Sequence, residues 1–86
     1  MWIATSKSEL KYLDLEKVTH LDYSPNGRPL GGLKINGEMF CHDINIGEYL
    51  FNTLRDYFMS VGGLKQTNLY DAIEKNNKRV LKENKK

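Results

Sequence analysis

Between residues 45 and 63 the apolar positions recur at helical spacing. Ile46, Leu50, Leu54, Tyr57 and Val61 stand four, four, three and four residues apart, which aligns them along one face. Phe51 and Phe58 widen that stripe. Asn45 can cap the start while Glu48 reaches back to its N–H, and Ile44 can pack on Tyr49 from just before the cap. Gly47 in the first turn costs little there, and Gly62 and Gly63 offer the left-handed conformation that ends a helix, with Leu64 folding back. An amphipathic helix over residues 45–62 is predicted. A second helix is predicted over 67–82, started by Thr67 or Asn68, with Asp71 in its first turn. Its apolar face is thin: Leu69, Tyr70 and Ile73, then Val80 and Leu81, with Asn76 and Asn77 between them. The first half can dock on a core; the second half needs a partner chain or stays uncovered. Residues 83–86 read as a frayed basic tail.

The first 44 residues carry the two-residue alternation of strands. Asn36-Gly37 is the clearest turn, since both residues tolerate left-handed angles. That turn pairs Ile35 with Glu38, Lys34 with Met39, Leu33 with Phe40 and Gly32 with Cys41. Leu33, Ile35, Phe40 and His42 then share the buried face, and Lys34, Met39 and Cys41 the other. Val18 to Tyr23 alternates with Thr19, Leu21 and Tyr23 together. Trp2 to Thr5 and Leu10 to Leu13 form a further short pair around Ser6–Glu9. Both prolines and three of the seven glycines fall between Ser24 and Gly32, which marks a loop. The predicted fold is α+β: a small antiparallel sheet of four to five short strands, then two C-terminal helices, the first packed on the sheet.

Composition narrows the setting. The 86 residues suit one domain, and 40% hydrophobic with 28% charged residues is a globular balance. One cysteine allows no internal disulfide, which argues against a stapled secreted scaffold. No apolar run reaches the 18 residues of a membrane span, and the N-terminus lacks the basic and apolar regions of a signal peptide. A cytoplasmic protein without membrane contact is expected. The charge of +2 conceals a gradient: residues 1–60 carry six Lys/Arg against eight Asp/Glu, residues 61–86 seven against three.

Reactive residues are few. Cys41 and His42 are neighbours on a strand and point to opposite faces, so they cannot form a nucleophile–base contact. Asp43 fails for the same reason, and Cys41 reads as a small buried hydrophobe. His20, Cys41, His42 and Asp43 lack metal-ligand spacing. The segment Gly27 to Lys34 lacks the Gly-Lys-Ser/Thr ending of a phosphate loop, leaving Arg28 as an exposed donor in a recognition loop. Ser8 to Lys11 matches S-x-x-K in letters only. No catalytic residue, metal, cofactor or small-molecule ligand is expected.

What remains is contact with other macromolecules. Tyr49 and Phe51 lie on nearly opposite sides of the first helix, so one sheet cannot cover both; helix two or a second copy must cover one, or it stays exposed. With Trp2 and Tyr70 they form the expected protein-contact residues of a non-enzymatic interaction or regulatory module, with self-association as a homodimer among its forms. The alternative is weak nucleic-acid binding through Lys75, Lys78, Arg79, Lys82, Lys85 and Lys86 on the basic helix.

Overall fold

The computed structural model describes residues 1–26, 31–59 and 66–82. Strands β1 (Trp2–Ser6) and β2 (Glu9–Tyr12) form one antiparallel hairpin. A single 3-10 turn (Leu15–Lys17) leads to β3 (Leu21–Ser24), β4 (Gly32–Ile35) and β5 (Glu38–Cys41). These three make a second antiparallel sheet in the order β3-β4-β5. Helices α1 (Ile44–Met59) and α2 (Gln66–Lys82) follow. The chain is α+β: the described residues form a small antiparallel array of five strands and then two helices, α1 lying against β3 and β4.

The strands split into two sheets where the sequence suggests one. Side chains bridge the seam where a ladder would run: the Cys41 thiol donates to the Thr5 carbonyl at 3.3 Å, and Lys11 Nζ to the Phe40 carbonyl at 3.0 Å. β3 also begins at Leu21 rather than Val18. Asn36 Oδ1 accepts the N–H groups of Thr19 (2.7 Å) and His20 (3.0 Å), which holds those residues out of the strand. Asp14 caps the preceding 3-10 turn, its Oδ1 accepting from Glu16 N at 3.0 Å.

The Asn36-Gly37 turn forms as predicted, with φ of 55° and 83°. Ile35 pairs with Glu38 and Lys34 with Met39, but Leu33 pairs with Cys41. Phe40 is the extra residue of a bulge, and a bulge re-aims the side chains beyond it. Phe40 and Cys41 are both buried in consequence, while His42, expected inside, is exposed. Gly32 opens β4 at φ 114°, where a Cβ would run into the Cys41 carbonyl.

Helix α1 starts earlier than the pattern suggests. Its cap is Asp43, not Asn45: Asp43 Oδ1 accepts from Asn45 N (2.8 Å) and Ile46 N (2.9 Å), and its carbonyl takes Gly47 N (2.7 Å). Gly47 is buried for a packing reason. A Cβ there would sit 3.3 Å from Leu33 N, so the glycine lets the helix lie close on β4. Leu50 and Leu54 bury the predicted stripe, and Phe51 stacks on Tyr23 with ring centroids 5.8 Å apart. The expected stop at Gly62 and Gly63, with Val61 and Leu64, lies outside the described residues.

Helix α2 overturns the reading of its second half. Leu69, Ile73 and Val80 are buried by the chain itself, and Asn76, read as an interruption, is 1% exposed. Met1 and Leu13 exchange both main-chain hydrogen bonds, so the alternation of an antiparallel pair turns the polar groups of Trp2 and Ala4 outward from the hairpin. Asn77 meets them as a strand would: its Oδ1 accepts Ala4 N at 2.7 Å and its Nδ2 donates to Trp2 O at 2.9 Å. Asn76 Nδ2 donates to Ala4 O at 3.1 Å. One core joins Ile3, Leu13, Leu33, Leu50, Leu54 and Leu69 across every layer.

Candidate functional site

The thiol is the group with the most reactive potential, and its surroundings suppress it. Cys41 is 1% exposed and hydrogen-bonds to the carbonyls of Thr5 (3.3 Å) and Asp43 (3.6 Å). Burial pushes its pKa up to about 11, so it stays a thiol at neutral pH. His20 faces solvent beside the Thr19 hydroxyl at 3.1 Å, and His42 is exposed. Among the described residues no three His, Cys, Asp or Glu side chains gather as metal ligands, and no helix is long and apolar enough to cross a membrane.

Tyr49 and Phe51, the two α1 residues expected at a contact surface, are both used within the chain. Tyr49 donates its hydroxyl to the Ala72 carbonyl at 3.0 Å, with the Arg79 guanidinium 5.2 Å above its ring. Phe51 lies between Tyr23 and Arg55, whose guanidinium stands 5.4 Å from its centroid. Helix α2 thus covers Tyr49 and β3 covers Phe51. Tyr70 remains exposed on α2. Of the basic residues, Lys78 pairs with Glu74 at 3.7 Å and Arg79 is committed to Tyr49, while Lys75 and Lys82 are exposed. Arg28, Lys85 and Lys86 lie outside the described residues.

A cavity of about 760 Å³ lies between the β1–β2 turn, the start of α1 and Arg79. It mixes both signs of charge, and the Asp43 carboxylate on its wall is occupied in capping α1. A smaller, apolar groove of about 400 Å³ runs between residues 18–21 and the end of α1, beside Phe58 and Met59.

A third groove, about 550 Å³, separates the N-terminal hairpin from β5 and is the most aromatic. Trp2 pairs with Tyr12 and Ala4 with Leu10, so these four side chains share one face of the hairpin. Because the Met1–Leu13 pair is hydrogen-bonded, Trp2 and Tyr12 form the next, non-bonded pair, the kind whose side chains approach most closely. Their rings meet edge to face at 5.3 Å and 70°. Both residues are 60% exposed and Leu10 is 46% exposed. Met39 and Phe40 form the opposite wall, and Lys11 is held there by its bond to Phe40 O, its ammonium 5.6 Å from the Phe40 ring.

Trp2 alone of these was expected at a contact surface. Leu10 and Tyr12 escaped the sequence reading: pairing residues 2–5 with 10–13 sets Trp2 opposite Leu13, and the observed register, shifted by one residue at the irregularity between Ala4 and Ser6, brings Tyr12 opposite Trp2 instead. No family model matches the chain, and neither a curated protein nor a solved structure matches it significantly.

Proposed function

We propose that the chain is a non-enzymatic, cytoplasmic protein-contact module that engages another protein through the outer face of its N-terminal hairpin. The observation that carries the reading is the exposed Trp2–Tyr12 pair beside Leu10. Exposed single apolar residues are ordinary, but a contiguous aromatic patch is where interface anchors concentrate. The pair is set by strand register and needs little further ordering on binding. The buried, protonated Cys41 favours a role without covalent chemistry.

The test is affinity capture from the source cell with the wild-type chain and with Trp2→Ala/Tyr12→Ala, each with and without nuclease. Both side chains are exposed, so the variant keeps the fold, checked by circular dichroism. A protein retained by wild type, lost by the variant and indifferent to nuclease supports the proposal. Retention that survives the double substitution but vanishes with nuclease overturns it in favour of the basic face of α2.

A further inference from the structure

We propose that the groove between the β1–β2 hairpin and β5 takes a short, proline-bearing segment in the polyproline II conformation. This rests on the reading of that face as a protein-contact surface and names the chemistry of its ligand.

The area decides against a second copy of the chain. Aromatic side chains offer roughly 150–250 Å² each, and Trp2 and Tyr12 leave 60% of theirs open. With Leu10 the patch amounts to about 300–400 Å², under half of the ~800 Å² per partner that a stable association buries. A segment of a few residues matches it, and the groove volume of about 550 Å³ lies in the range of small-ligand sites.

The hydrogen-bonding groups close the β1 edge to an added strand. A third strand beside β1 would need Trp2 O, Ala4 N and Ala4 O, and all three are held by Asn76 and Asn77. Across the groove the Phe40 carbonyl is taken by Lys11. A ligand that asks for no main-chain ladder fits, and polyproline II is such a conformation: it has no internal hydrogen bonds and its carbonyls stay open. Among the described residues the Trp2 indole N–H and the Tyr12 hydroxyl have no hydrogen-bond partner, so both can donate to those carbonyls. The two rings at 70° give a floor and a wall for a flat pyrrolidine ring.

Trp2 is the single tryptophan, so its fluorescence reports the site directly. The full chain is titrated with a decapeptide carrying two Pro-x-x-Pro repeats, and with the same peptide after replacing every proline by alanine. Expected is a saturable change in Trp2 emission with the proline peptide, at least about tenfold tighter than with the alanine peptide and about tenfold weakened by Tyr12→Ala. Equal response to both peptides overturns the proline assignment and leaves the protein-contact reading standing. So does silence with both peptides when capture from the cell still depends on Trp2 and Tyr12. Silence together with loss of that dependence overturns both. A dimer at micromolar concentration in sedimentation equilibrium, abolished by Trp2→Ala, overturns the inference in favour of a second copy.

Discussion

Asn36 combines two physical roles in one side chain. It occupies φ 55° in the β4–β5 turn, a conformation that asparagine tolerates and alanine resists by about 1–2 kcal/mol. Its amide also organises residues 17–20. Oδ1 accepts from Thr19 N (2.7 Å), Thr19 Oγ1 (2.9 Å) and His20 N (3.0 Å), while Nδ2 donates to Lys17 O at 2.7 Å. These bonds are solvent-exposed, so each contributes at the low end of about 0.5–1.5 kcal/mol. Asn36→Gly keeps the backbone and loses the amide; Asn36→Ala loses both. Urea unfolding should show alanine costing about 2–4 kcal/mol and glycine about half of that. Equal losses would remove the backbone part of the argument, and a glycine variant as stable as wild type would remove the amide part.

At the scale of elements, what the sequence discloses is what neighbouring residues determine. The α1 stripe and the Asn36-Gly37 turn depend on local spacing and conformation, and both stand in the structure. The pattern alone puts the cap two residues late because Asp43 and Asn45 are both good caps and Ile44 continues the helical pattern; the bonds from Asn45 N and Ile46 N to Asp43 Oδ1 separate them. The Phe40 bulge depends on where Thr5 and Lys11 meet β5, which strand alternation cannot reveal. Asn76 and Asn77 were the least legible, since their partners lie more than 70 residues away. They guard the β1 edge, which would otherwise invite pairing with other chains. The guard carries a cost: Asn76 Oδ1 is buried without a partner, a loss of about 1–3 kcal/mol. Asn77→Ala should destabilise the fold by about 1–2 kcal/mol, accelerate hydrogen exchange at Ala4 N–H, and raise concentration-dependent association. Unchanged exchange at Ala4 would mean that Asn77 is not the group protecting that edge.

For the whole molecule, the decisive feature is that β1 and α2 hold each other. The N-terminal hairpin has two strands, and such a hairpin alone is marginal in water. Its stability is borrowed from Ile3 and Leu13 in the shared core and from the grip of α2 on β1. A chain of 86 residues is worth about 4–13 kcal/mol in total, so removing one well-packed core side chain, at about 2–5 kcal/mol, is felt throughout. Leu69→Ala tests this, because Leu69 is buried on α2 while Trp2 reports from the hairpin. Urea unfolding followed by Trp2 emission and by far-ultraviolet circular dichroism should give coincident midpoints in wild type, and both should fall together in the variant. A Trp2 transition that stays in place while the helical signal moves would make the hairpin an independent unit. The contact surface proposed for Trp2 and Tyr12 would then no longer need α2, whereas coincidence makes their alignment a property of the entire fold and carries damage to α2 through to binding.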